Sequence, residues 1–205
     1  MENAKRRRKI VNHTYKGFEL GNEEAYDTKL LDADIDAITS SLKEHSKVLA
    51  KRIDLHLPKD TQPDKCNEMF SDVMGEIVRN FNRPRKRGVP KQRPSLDARY
   101  VMTTEQNEAE TPHAHLVLTL NGNRVQNGYY PMQEIKAIAE RKLGSDTLVH
   151  ECRNGEWMLH RGNEAELREV VKATSYIAKV RTKENNQGRE MMRSQLNKRK
   201  KPNGR

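Results

Sequence analysis

The chain has 205 residues and a formal net charge of +10, from 39 Lys+Arg against 29 Asp+Glu. Hydrophobic residues make up 34%, aromatics 5% and charged residues 33%, enough for the core of one domain with some of the chain left to solvent. No apolar run approaches the ~18 residues of a membrane span. The basic start Lys5-Arg6-Arg7-Arg8-Lys9 has no apolar segment behind it, and Cys66 and Cys152 are too few for a disulfide framework. Neither a membrane protein nor a secreted one is expected, and a reducing cytoplasm is the expected compartment.

The charge is blocky. Residues 1–10 carry +4, residues 83–93 carry +6 and residues 181–205 carry +7; against +10 for the whole chain, the remaining body is about −7. The block at 83–93 lies between two apolar-periodic segments and is punctuated by Pro84, Gly88 and Pro90, which marks an extended loop. Its Arg83, Arg85, Lys86, Arg87, Lys91 and Arg93 are the expected contacts to a nucleic-acid backbone.

In chain order, Leu31, Ile35, Ile38 and Leu42 predict a helix over 27–45, read as a flanking element. Residues 48–57 alternate, with Leu49, Ile53, Leu55 and Leu57 on one face and Arg52, Asp54 and His56 on the other, which predicts a strand with one dry face. A helix beginning at Thr61, with Asp64 as a capping-box partner, should bury Phe70, Val73, Met74, Ile77 and Phe81. Strands follow at 96–105 and 113–121, and a helix begins at Pro131. Asn154-Gly155 predicts a hairpin with strands near 147–153 and 156–160. A last helix is capped by Asn163 and runs through Ile177 and Ala178; beyond residue 183 no apolar period survives, and a solvated tail is expected. This order predicts an α+β domain: an antiparallel sheet whose dry face is covered by helices packed on one side.

On the strand 113–121, period 2 puts His113 and His115 on one face while Ala114, Leu116, Leu118 and Leu120 go to the core. Two such imidazoles can converge on one divalent metal, and Glu105, closing the preceding strand, could supply a carboxylate. On the last helix, Tyr176 projects opposite the apolar stripe, among Lys172, Lys179 and Lys183. This cationic setting favours phenolate over phenol and attracts phosphate. A metal held by imidazoles, a tyrosine among cations and basic segments for a polyanion are what phosphodiester cleavage by a protein nucleophile requires.

Thr104-Glu105-Gln106, then Pro112-His113-Ala114-His115-Leu116-Val117-Leu118 with Asn121, and downstream Tyr176-Ile177-Ala178-Lys179, resemble the HUH endonuclease superfamily. The nearest likeness is to rolling-circle replication initiators of the filamentous-phage gene-two-like type, found also in prophages and phage satellites. The resemblance spans residues ~48 to ~182 and rests on the order and context of the motifs. It implies a core with the active site on the open face of the sheet, His113, His115 and Glu105 as ligands of Mg²⁺ or Mn²⁺, and Tyr176 as the nucleophile. That tyrosine would nick single-stranded DNA at a replication origin, leaving a 5′-phosphotyrosine and a free 3′-OH. Lys179 would position or neutralise the phosphate. The implied organisation is a basic N-terminal arm (1–26), a flanking helix (27–47), the HUH-type nuclease domain (48–182) and a basic tail (183–205). Ala114 is smaller than the family's usual middle residue, and the single motif tyrosine leaves open whether a second subunit of a homo-oligomer serves strand transfer. There is no phosphate-loop motif for a fused helicase, so a host helicase and polymerase are the expected partners. A single-tyrosine transposase of the same chemistry and a non-catalytic DNA-binding regulator are the alternatives.

Overall fold

The computed structural model describes residues 10–21, 25–83, 94–105, 112–180 and 191–194. Its centre is an antiparallel five-stranded sheet. The strands are β5 (Lys47–His56), β6 (Arg99–Glu105), β7 (His113–Asn121), β8 (Leu148–His160) and β9 (Met191–Arg193), in the spatial order β8-β5-β7-β6-β9. Four two-residue strands precede them: β1 (Ile10–Val11) pairs with β4 (Tyr26–Asp27), and β2 (Thr14–Tyr15) with β3 (Phe18–Glu19). The helices are α1 (Thr28–Glu44), α2 (Pro63–Asn82), α3 (Tyr129–Leu143) and α4 (Glu164–Thr174), the last running into a one-turn 3-10 helix, Ser175–Ala178. Among the described residues no helix is long and apolar enough to cross a membrane.

The α+β class and the antiparallel sheet agree with the sequence expectation, but the helices cover both faces of the sheet. Leu49, Ile53 and Leu55 of β5, Leu57 just beyond it, and Leu116, Leu118 and Leu120 of β7 pack against Phe70, Met74 and Ile77 of α2 and Met132 and Ile135 of α3. On the opposite face Val48 and Ala50 meet Ile35, Ile38 and Leu42 of α1 and Val170 and Val171 of α4. The strand expected to have one dry face is thus dry on both at its N-terminal end. The helix read as a flanking element is a structural layer on the face that carries His113 and His115, where Ala33 and Ala37 pack on Val101, Val117 and Ile177.

Other boundaries shift for local reasons. Helix α2 starts at Pro63 with Gln62 as an uncapped entry residue, because proline at the first position fixes a helical φ and needs no donor. Asn163 does cap α4 by accepting from Glu166 N, but Glu166 turns its carboxylate to the backbone N–H of His160 rather than completing a reciprocal box. The expected hairpin at Asn154-Gly155 is instead a bulge within one long strand. Lys51 pairs with Glu156 and Ile53 with Glu151, so residues 152–155 are looped out opposite Arg52. Asn154 takes a φ of 55°, and the left-handed preference that marks a turn serves a bulge equally well. The expected tail reaches back into the fold, since Met191–Arg193 add β9 to the free edge of β6 and Met192 is buried in the main core.

Asp34 of α1 is fully buried beneath the end of α4. Thr174 Oγ1 lies 2.6 Å from Asp34 Oδ2 and 2.9 Å from the Val170 carbonyl oxygen, which can only accept. Thr174 Oγ1 donates to Asp34 Oδ2, while Asp34 Oδ1 is buried without a hydrogen-bond partner, so an ionised carboxylate is poorly compensated here. Consistently, burial, only partly offset by the bond to Thr174, pushes the Asp34 pKa up to about 7. An unfolded Asp ionises near pH ~4, so between about 4 and 7 the native state keeps a proton that the unfolded state releases. Stability therefore falls as pH rises through that window, by on the order of 4 kcal/mol. In Asp34→Asn a neutral amide takes the place of the carboxyl. Its Tm is expected to drop less than that of the wild type between pH 5 and pH 8 in calorimetry, and parallel Tm profiles would show that Asp34 is ionised in the fold.

Candidate metal centre and tyrosine turn

Period 2 and the strand register assemble the centre. His115 pairs across β7–β5 with Asp54 and across β7–β6 with Thr103, while His113 pairs with His56 and Glu105. Cross-strand partners share a face, so Asp54, His56, Thr103, Glu105, His113 and His115 stand together at one end of the sheet. Ligand atoms of Glu105, His113 and His115 all lie within 4.8 Å of one another. Glu105 Oε2 is 3.3 Å from His115 Nε2 and 3.6 Å from His113 Nε2. His56 extends the cluster outward, stacked on His113 with centroids 5.1 Å apart.

The donor set fits a divalent cation. His115 Nε2 is buried without a hydrogen-bond partner, and so is Oγ1 of its cross-strand neighbour Thr103. A buried imidazole nitrogen left this way is costly unless something binds it. The other ring nitrogen, Nδ1, is 2.6 Å from Asp54 Oδ1. With Nδ1–H donating to that carboxylate, the Nε2 lone pair points at Glu105 and His113, the arrangement by which a carboxylate orients a metal-binding histidine. Burial of the ring opposes protonation, yet the Asp54 hydrogen bond and the negative charges of Asp54 and Glu105 outweigh it and hold the His115 pKa above the usual imidazole value. Burial would raise the Asp54 pKa, but His115 and then Arg52 bring it below the usual carboxylate range. A second group of potential ligands, Glu44, His45 and Asp97, fits less well: the Arg99 guanidinium, 2.5 Å from Glu44 Oε2 and 3.2 Å from Asp97 Oδ2, already neutralises it.

Tyr176 stands beside this centre. Its ring meets His115 edge-on at a centroid separation of 5.2 Å. Lys179 Nζ is 3.9 Å and Arg52 Cζ 4.2 Å from the ring centroid. The structure therefore brings Glu105, His113, His115, Tyr176 and Lys179 together, as the motifs implied. It places Tyr176 on the 3-10 turn after α4 rather than within a continuous α-helix, so helical spacing does not gather the other lysines. Lys172 pairs with Glu19 at 2.6 Å, and Lys183 lies outside the described residues. Arg83 is the C-cap of α2, and the backbone of Leu96 bonds Phe81 and Asn121 at the far end of β7. With ~3.3 Å of rise per residue, that is roughly 25 Å along the strand from His113. Arg85, Lys86, Arg87, Lys91 and Arg93 lie outside the described residues.

Asp54, Arg52 and the N-terminal segment were not singled out from the sequence. The alternation of β5 put Asp54 and Arg52 on the correct face, but only the register shows that they reach His115 and Tyr176. The N-terminal segment braces the tyrosine turn at both ends. Gly21 N donates to Ser175 Oγ at 3.0 Å, Val180 N donates to the Ala25 carbonyl at 2.9 Å, and Tyr26 bridges Lys179 while its ring is fully buried with Leu30, Leu31 and Ala178. A Cβ at Gly21 would stand 2.6 Å from the Lys172 carbonyl oxygen, so only glycine permits this approach. Titration with Mn²⁺ is expected to show tight binding that His115→Ala abolishes and Asp54→Ala weakens about 10–100-fold. Unchanged affinity in His115→Ala would place the ion elsewhere.

The family model of the YagK/YfjJ C-terminal domain matches residues 8–192, from the N-terminal brace through β9. No curated protein and no solved structure matches the chain. The brace, the sheet and the Glu/His group are thus features of a chain that belongs to the YagK/YfjJ C-terminal domain family, a family of prophage-associated proteins.

Proposed function

We propose that the chain is a metal-dependent, site-specific single-stranded DNA nickase and strand transferase of the HUH type that initiates rolling-circle replication of its element. The observation that carries this reading is the position of Tyr176, in edge contact with His115 of the Glu105/His113/His115 group and flanked by Arg52 and Lys179. A metal-binding group alone would fit many activities. A tyrosine against its ligand, with cations at the ring, fits attack on a phosphodiester.

Glu105, His113 and His115 would hold Mg²⁺ or Mn²⁺, which when bound polarises the non-bridging oxygens of the phosphate. Asp54 keeps His115 in the tautomer that leaves Nε2 available. Tyr176 loses its phenolic proton to solvent and its oxygen attacks phosphorus. The bond to the 3′-oxygen breaks, and that oxygen takes up a proton to become a 3′-OH. The downstream strand remains on Tyr176 as a 5′-phosphotyrosine, which a later 3′-OH can attack in reverse to rejoin a strand. Lys179 neutralises charge on the phosphate. The prophage association of the family supports a role in an element's replication.

Incubation with a pool of single-stranded DNA tiled across the element, plus Mn²⁺, is expected to give a covalent protein–oligonucleotide adduct on denaturing gels. Tyr176→Phe should abolish it, and His113→Ala should reduce it by two orders of magnitude or more, an effect of the size metal-site losses produce. A wild-type protein without an adduct across Mg²⁺, Mn²⁺ and the whole pool would overturn the reading and leave a DNA-binding regulator in its place.

A further inference from the structure

The geometry points to Arg52 as the residue that grips the phosphodiester attacked by Tyr176, an anion subsite on the tyrosine side of the metal group; the assignment rests on the function proposed above. Its guanidinium carbon stands 4.2 Å from the Tyr176 ring centroid, and its Nε is buried without a hydrogen-bond partner. Among the described residues no carboxylate is in ion-pair contact with its guanidinium, and Asp54 feels its charge only from farther off. Asp54, the nearest acid along β5 on the same face, has Oδ1 engaged at 2.6 Å by His115 Nδ1. Burying a guanidinium N–H without an acceptor costs stability, so packing alone does not account for it.

The bulge in β8 lies opposite Arg52, with the Cys152 thiol hydrogen-bonded to Asp54. The register passes from Lys51–Glu156 to Ile53–Glu151, so the β8 residues that a regular ladder would set beside Arg52 are looped out. Gly155 makes this loop possible, since a Cβ there would meet the carbonyl oxygens of Cys152 at 2.8 Å and Arg52 at 3.1 Å. Bulges next to active sites re-aim a side chain in this way. The ligand chemistry follows from the donor: a planar fork of N–H groups matches two non-bridging oxygens of a phosphate, where an ammonium offers only a point charge. Metal ligands on the His115 side of Tyr176 and Arg52 on the ring would hold one phosphate from two directions as its oxygens gain charge.

Two measurements test this. The Arg52 Nε–Hε resonance, identified as the one lost in Arg52→Lys, is expected to shift when dT10 and Mg²⁺ are added; a resonance that stays in place at millimolar dT10 overturns the assignment whether or not an adduct forms. In the adduct assay Arg52→Ala is expected to lose about 100-fold or more in rate with Mn²⁺ affinity unchanged, and added guanidinium should restore part of the loss, as it would not for a packing defect. Equal adduct rates for wild type and Arg52→Ala would overturn the subsite and leave the nickase standing. A shifted resonance in a protein that forms no adduct would keep the subsite and remove the nickase.

Discussion

The imidazole of His115, held under the surface between Asp54 and Glu105, is the constraint on which the rest of the structure depends. Carboxylates and an imidazole with little water around them are stable together only if each charge faces its partner, because an uncompensated buried charge costs several kcal/mol. The partners come from three different strands, so the constraint falls on strand register. A slip of one residue between β5 and β7 would turn Asp54 into the α2/α3 core and send Leu55 to the site. The leucines of β5 and β7, locked against α2 and α3, make that slip expensive. The apolar layer on one face thereby holds the polar cluster on the other in place.

This division also explains why helices are needed on both sides. Helices α2 and α3 fix the sheet, while α1 and α4 close the N-terminal half of β5 and stop short of the end where the histidines stand. Arg99, Glu44, His45 and Asp97 form a self-neutralised cluster at the other end of β6. The two ends of one sheet thus differ in kind: one has its charges matched, the other presents a ligand set with a nitrogen left over.

Much of the centre was legible because alternation along a strand is a two-residue signal. It set His113 apart from Ala114 and put Glu105 at a strand end, and the register then confirmed that they meet. Asp54 showed its face but not its partner, since pairing residues 54 and 115 is a long-range choice that no local pattern contains. The same holds for Arg52 and Tyr176. The Asn-Gly signal at 154–155 was real but ambiguous, because positive φ serves a bulge as well as a turn. The two-residue strands of the N-terminal brace and the three-residue β9 are too short to carry a period, and their role depends on edges offered by distant parts of the chain. Tyr176 was found through the motif, while its 3-10 turn was hidden by an apolar stripe that continues past the end of α4.

The brace at the tyrosine turn has a consequence for how the molecule is made. Gly21, Ala25 and Tyr26 leave the ribosome before their partners Ser175, Lys179 and Val180, which come more than a hundred and fifty positions later. The residues of the centre between them are spread over β5, β6 and β7. No shorter stretch of chain contains the centre, and contacts of such long sequence separation form late in folding. Nascent or proteolysed pieces would therefore carry the motifs without the assembled centre.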